Sequence, residues 1–225
     1  MNELLLKIDL HVHTCYSIDA DTTLEEVIAH SKKRGLDGVA ITDHDTLKGA
    51  LKLTNQEELL VIPGIEITTL DGHVLALNVH EEILPEMTLL ETVRRIHELG
   101  GISVAAHPKA IHCRIKQQIT SSLGFDAIEV INSSAFPFFF STYQGRKVAL
   151  RLGLPQVAGS DAHYPSEIGF AYTLVDADSE VDEIVHAIKN GAAVPCGKPL
   201  PWKLRFERAC LRLKRNISRY SAECL

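Results

Sequence analysis

The 225-residue chain contains no run of about eighteen or more apolar residues, so no segment reads as a membrane-spanning helix. Its opening, MNELLLKIDLHVHT, lacks a basic stretch followed by an apolar core and a small-residue cleavage site. A cytoplasmic protein is expected. The five cysteines, Cys15, Cys113, Cys196, Cys210 and Cys224, are odd in number and form no C-x-x-C pair, which argues against a disulfide framework and a thiolate zinc site. Cys15 stands beside the residues of chemical interest and reads as a small buried thiol. Internal repeats and low-complexity linkers are also missing, and with 45% apolar and 23% charged residues one main domain is expected. Positive charge is scarce in the body: residues 1–197 carry 15 basic and 27 acidic side chains. That balance argues against broad nucleic-acid binding, without excluding it, because cations in a cleft can invert the local field.

What is present is an alternation of short apolar runs and helix-like stretches. KIDLHV, DGVAIT, LLVIPGIEIT, HVLALNV, ISVAA, AIEVI, QVAGS, AYTLV and AAVPC read as strands. TLEEVIAHSKKRGL, a stretch from about Thr46, TLLETVRRIHELGG, a segment around Arg114 to Leu123, STYQGRKVALRLGL and EVDEIVHAIKN read as helices. This pattern predicts an α/β fold with a largely parallel sheet wrapped by helices. Thr22 with Glu25, or Thr23 with Glu26, supplies a capping box, and Gly35, Gly100 and Gly153 supply helix stops.

Candidate ligands gather where the strand-like runs end: Asp9, His11 and His13; Asp43 and His44; Glu66; His107; Asp161 and His163. In parallel β/α folds the carboxyl ends of the strands share one face, so these residues, remote in sequence, should converge. Residues two apart on a strand point the same way, which pairs His11 with His13 and Asp161 with His163. Imidazole and carboxylate without thiolate favour Zn, Mn or Fe. The number of donors exceeds the needs of one four-coordinate ion, so two or three divalent metal ions are expected. Neighbouring cations can bind an attacking hydroxide together with phosphoryl oxygens, giving hydrolysis without a nucleophilic serine or cysteine.

The motifs DLHVHTCYSID, ITDHDT, GIEIT, AAHP and GSDAH, in this order, resemble those of the PHP family, the polymerase and histidinol phosphatase domain. The resemblance covers about residues 8–197 and implies a distorted (β/α)7 TIM-like barrel with a bi- or trinuclear centre and phosphoesterase activity. It places metal ligands on His11, His13, Asp19, His44, Glu66, His73, His107, Asp161 and His163. Asp19 is aligned to the family's acidic ligand although the chain reads Ser17, Ile18, Asp19, Ala20, where members often carry a glycine. His73 follows the histidine that precedes a strand like VLALNV in some small members. Trinuclear members use a further histidine before GSDAH; here only His112 is offered, and Glu129 stands at the corresponding strand end. For Glu129 and Asn132, orienting a ligand and touching substrate both remain open.

Catalytic roles are expected for Glu66, Asp161 and His163, the last as proton donor to the leaving oxygen. Lys109, Arg114 and Arg146 are the candidate phosphate-binding cations. The substrate would be a small phosphorylated metabolite: a nucleotide, a nucleoside bisphosphate or histidinol phosphate. Metal-dependent hydrolysis of an amide or lactone, and a non-catalytic or editing module serving a nucleic-acid enzyme, are the alternatives. Asp9, Asp43 and Asp45 are expected to orient imidazoles or cap backbone groups, and His30, His80, His97 and His186 to be structural or surface residues. The aromatic run Phe136 to Phe140 reads by default as core beneath a loop. Residues 198–225 carry eight basic and two acidic side chains. There Trp202, Phe206, Ala209, Cys210, Leu213 and Ile217 recur at helical spacing, predicting an amphipathic helix docked on the acidic body.

Overall fold

A computed structural model describes residues 5–54, 56–111 and 114–223, with side chains described to Leu213 and at Arg215. His112, Cys113, Cys224 and the side chain of Ile217 lie outside the described residues. The strands are β1 (Leu6–Val12), β2 (Gly38–Ile41), β3 (Leu60–Thr69), β4 (Gly72–Leu77), β5 (Ile102–Ala105), β6 (Ala127–Asn132), β7 (Gln156–Gly159), β8 (Ala171–Val175) and β9 (Ala193–Gly197). The helices are α1 (Leu24–Lys33), α2 (Lys48–Leu53), α3 (Leu89–Glu98), α4 (Phe138–Leu152), α5 (Val181–Lys189) and α6 (Trp202–Glu223).

Local signals explain several of these limits. Thr23 and Glu26 cap α1 reciprocally, and Thr88 and Glu91 do the same for α3. Leu89, Val93 and Ile96, at helical spacing, form the buried stripe of α3. Gly153 ends α4 in the left-handed conformation at φ 66°. The segment from Arg114 to Leu123 departs from expectation. Apart from a single 3-10 turn at Ser121–Leu123 it is irregular. Its buried Ile115, Ile119 and Leu123 imitate a helical stripe but anchor a loop, tied at one end by Lys116 N donating to Asp71 O (2.7 Å).

One sheet runs in the order β7-β6-β5-β4-β3-β2-β1-β8-β9. It is the distorted barrel expected, with two strands reversed: β4 pairs antiparallel to β3 and β5, and β8 antiparallel to β1 and β9. The two residues between β3 and β4 permit only a hairpin, because a parallel return needs a crossover of a dozen residues or so. Neighbouring strand residues divide between two apolar clusters, Val39 and Ile41 from Ala40, and Val74 and Ala76 from Leu75 and Leu77. Strands buried on both faces read as continuous apolar runs for this reason.

The sheet curls until β7 packs against β1, β8 and β9, with which it shares no strand ladder. Individual groups stitch this seam. Thr173 Oγ1 accepts from Ala158 N and donates to Ala158 O, both at 2.9 Å. Asp9 accepts from Ser160 N at 2.8 Å and from Gly169 N at 2.8 Å. Beyond the strand ends, Asp161 N donates to His11 O (2.8 Å) and His13 N to Ala162 O (2.9 Å).

Helix α6 lies on the barrel through its basic side. Trp202, Phe206 and Leu213 are 76%, 71% and 62% exposed, while Arg205, Arg208 and Arg215 are half-buried. Arg205 donates to the carbonyls of Ser133, Ser134, Ala135 and Leu200 at 2.9–3.2 Å. Arg208 donates to Ser134 Oγ (2.7 Å), and Arg215 pairs with Asp21. The loop after β6 presents a row of backbone acceptors, and a guanidinium fork satisfies such groups where an apolar face would leave them bare. The run Phe136 to Phe140 also departs from expectation: Phe138 packs on the core, while Phe136, Phe139 and Phe140 are exposed.

Candidate metal centre

The nine residues expected as ligands meet at one rim of the barrel. β1 delivers His11 and, just past its end, His13. The turn after β2 delivers His44, β3 delivers Glu66, and the residues following β5 and β7 deliver His107, Asp161 and His163. His73 arrives from the start of β4, because reversal of that strand brings its amino end to the same rim, opposite Thr68. Asp19 comes from the loop after β1.

Glu66 is the hub. Its Oε2 lies 3.1 Å from both His11 Nε2 and His13 Nε2 and 3.4 Å from His44 Nε2. Its Oε1 lies 2.8 Å from His73 Nδ1 and 2.9 Å from His107 Nε2. Asp161 Oδ1 adds a second carboxylate, 3.5 Å from His13 Nε2 and 3.4 Å from His163 Nδ1. Asp19 Oδ2 meets His163 Nε2 at 2.9 Å and His44 Nε2 at 3.8 Å. Four overlapping donor sets result, each with its atoms within 4.8 Å of one another: His13, Asp19, His44 and His163; His11, Glu66 and His107; His11, His13 and Asp161; His44, Glu66 and His73. His11 Nε2 and His13 Nε2 approach to 3.1 Å, a convergence of imidazole nitrogens and carboxylate oxygens whose chemistry suits divalent cations.

The surroundings hold these groups in place. Glu129 accepts from His107 N (2.7 Å) through Oε2 and pairs through Oε1 with His11 Nδ1 (2.9 Å). This turns His11 Nε2 toward the cluster. Asn132 Nδ2 bonds Glu129 Oε2 (3.0 Å) and reaches Asp161 Oδ2 at 3.4 Å. Asp43 accepts from Thr14 N and Oγ1, and Asp45 from Thr68 N. Both therefore cap backbone groups, as Asp9 does. Glu167, which nothing in the sequence singled out, is buried and accepts from His163 N at 2.8 Å. His107 and Asp161 adopt left-handed φ values of 27° and 55°, the kind of local strain that a packed surrounding holds at functional positions.

Electrostatics follow from the crowding. Burial opposes charge on His13, but hydrogen bonds to Asp161 and Glu66 outweigh it and raise the imidazole to about 9. Burial likewise opposes charge on Glu66 and Asp161, and the surrounding imidazoles reverse the balance, holding both carboxyls well below the usual range. At His163 burial, with His13 and Arg208 nearby, prevails and lowers the imidazole to about 4. Both ring nitrogens of His163 are engaged, Nε2 by Asp19 and Nδ1 by the Asp161 carbonyl at 3.1 Å.

Lys109 lines a small cavity with His107, Glu129 and Asn132, whereas Arg114 and Arg146 line neither this cavity nor the larger one beside the cluster. Lys109 lies near Arg114 and Arg151, Arg114 is exposed in the irregular segment, and Arg146 is exposed in the third turn of α4. The larger cavity, of about 330 Å³, is lined by His107, Asn132 and Asp161 together with Arg205, Arg208 and Arg212 of α6. Cys15 is exposed, contrary to expectation, and partial burial and then Asp43 raise its thiol, which keeps it protonated.

Comparison with known proteins gives the chain's family and fold relatives. The PHP domain model matches residues 9–154 and a PHP-associated model residues 143–193. A Methanocaldococcus jannaschii protein of uncharacterised function is 33% identical over 141 residues, 57% of this chain and 82% of that one. A probable phosphatase of Caldicellulosiruptor saccharolyticus is 28% identical over 203 residues, covering 73% and 83%. Among solved structures, a candidate metal-dependent phosphoesterase from Bifidobacterium adolescentis superposes with a TM-score of 0.62 at 20% identity, over 80% of this chain and 96% of that one. The lesion-specific endonuclease Q of Pyrococcus furiosus gives 0.67 at 19% identity, over 86% and 59%.

Proposed function

The chain belongs to the PHP domain family, and from that premise we propose that it is a metal-dependent phosphoesterase acting on a small phosphorylated metabolite. The observation that carries this reading is Glu66, a buried carboxylate reached by five imidazoles within 3.4 Å at a rim that opens into a cavity bordered by arginines. The residues that would hold two or three divalent ions, Zn, Mn or Fe, are His11, His13, Asp19, His44, Glu66, His73, His107, Asp161 and His163. When bound, such ions polarise phosphoryl oxygens and lower the pKa of water.

The protein's own groups do the rest. Glu66 and Asp161 supply carboxylate oxygens between neighbouring donor sets, so charge is matched at the centre of the cluster. Glu129 fixes the direction of His11, and Asn132 ties Glu129 to Asp161. The guanidinium of Arg208, held by Ser134 beside Asp161 and His163, offers a fixed cation in the cavity next to the donors.

The test is phosphate release by Mn-reconstituted protein from nucleotides, nucleoside bisphosphates, sugar phosphates and histidinol phosphate, with bis(4-nitrophenyl) phosphate as a diester. Asp161→Ala serves as the comparison. Release by the wild type and at least about 100-fold less by the variant is expected, the scale on which one group stabilising a transition state acts. Equal release by both proteins, or none from any ester, would overturn the proposal.

A further inference from the structure

We propose that Arg208 and Arg212 of α6 form an anion subsite for a second negatively charged group on the substrate, one joined to the reacting phosphate by an apolar body. This rests on the phosphoesterase reading for the reacting phosphate. Arg205, Arg208 and Arg212 recur every three or four residues and share one face of α6, all lining the same cavity as His107 and Asp161. Their partners differ. Arg205 is spent on four carbonyls and fastens the helix. Arg208 is aimed by one hydrogen bond to Ser134 Oγ, which itself donates to Asp161 O at 3.0 Å, and stands 3.6 Å from the buried Glu167. Arg212 has no hydrogen-bond or ion-pair partner among the described residues.

Like charges a turn apart on a helix repel, and nothing in the docking of α6 requires Arg212. An anion between Arg212 and Arg208 would relieve that repulsion and use donors the fold leaves over. A guanidinium presents five N–H groups in a planar fork suited to carboxylate or phosphate. The rest of the cavity lining is largely apolar: Ala110, Ala135, Phe136, Leu200 and Ala209. A ligand in the cavity therefore meets cation-seeking chemistry, apolar surface and the guanidinium groups of Arg208 and Arg212 within one space.

The probes are phenylphosphonate and a series of 4-substituted phenylphosphonates bearing a carboxylate on zero, one or two methylenes, titrated calorimetrically into Mn-loaded protein. At least one carboxylated probe should bind the wild type about tenfold more tightly than phenylphosphonate, the scale of one charge-assisted contact. Arg212→Ala should erase most of that ratio. Lys203→Ala, which removes a charge from an 84% exposed side chain of the same helix, should preserve it. The subsite is refuted if the wild type binds all probes alike or if Arg212→Ala keeps the preference. Hydrolysis of the full ester panel, measured in parallel, separates the two claims: no release from any ester alongside an intact carboxylate preference would remove the esterase reading and leave the subsite standing.

Discussion

Glu129 stands outside the four donor sets and yet bonds two residues that belong to them. Its two oxygens are committed to His11 Nδ1 and the His107 amide, so the side chain fixes one imidazole and one backbone turn together. Glu129→Gln keeps the shape and removes the charge. Metal affinity should fall by about 10–100-fold, read by competition with a chelator, while the circular dichroism of the protein is retained. An unchanged affinity would show that His11 orients itself without this partner. At this scale much of the cluster was legible in the sequence, because H-x-H, D-x-H and isolated acids at the ends of apolar runs have few structural explanations. The cavity's cations were not. Arg208 and Arg212 sit in a helix whose spacing announces two faces without saying which one meets the barrel, and loop or strand-end positions drew attention to Lys109, Arg114 and Arg146 instead.

Close approach between elements sets the tolerance of the scaffold. At Gly159, the end of β7, a Cβ would collide with His11 Cβ and lie 2.8 Å from His11 N and 3.1 Å from Glu129 Oε1. Gly159→Ala should therefore cost about 1–3 kcal/mol in urea unfolding, as overpacking does, and should weaken metal binding as well by displacing His11. At the amino-terminal mouth of the strands, Asp126 joins three elements to β6. It accepts from Ser103 N (2.8 Å), meets His97 Nε2 of α3 (2.7 Å) and pairs with Lys189 of α5 (2.9 Å). Burial opposes the charge, but these bonds hold the carboxyl below its ordinary value. A lowered folded-state pKa gives stability that is present above the unfolded value, about 3.9, and lost as pH falls through the folded one. Asp126→Asn should thus lower the urea midpoint at pH 7, and the gap from wild type should narrow below about pH 4. A gap independent of pH would mean that the carboxylate's charge contributes nothing. Element types were well marked by capping boxes and apolar runs, whereas Ile115, Ile119 and Leu123 misled because loop anchors fell by chance at helical spacing.

The whole barrel is closed on one side by individual bonds at the seam between β1 and β7, and the sequence alone could not reveal this. Alternating β and α elements predict a ring; they do not say which pair of neighbours lacks a ladder. Candidate ligands from both sides of that gap, His11 and His13 against Asp161 and His163, meet across it. Bound cations would then act on the fold as well as on the substrate. Mn at about 100 times its dissociation constant should stabilise the protein by about 2.7 kcal/mol per site, and a chelator should lower the melting temperature correspondingly. Hydrogen exchange should slow most at Ala158, Ser160 and Asp161. The same arrangement orders events in time. His11 and His13 are made early, and Asp161 and His163 some 150 residues later. Two of the four donor sets, His11 with Glu66 and His107 and His44 with Glu66 and His73, are thus complete in sequence before β7, and the other two wait for Asp161 or His163.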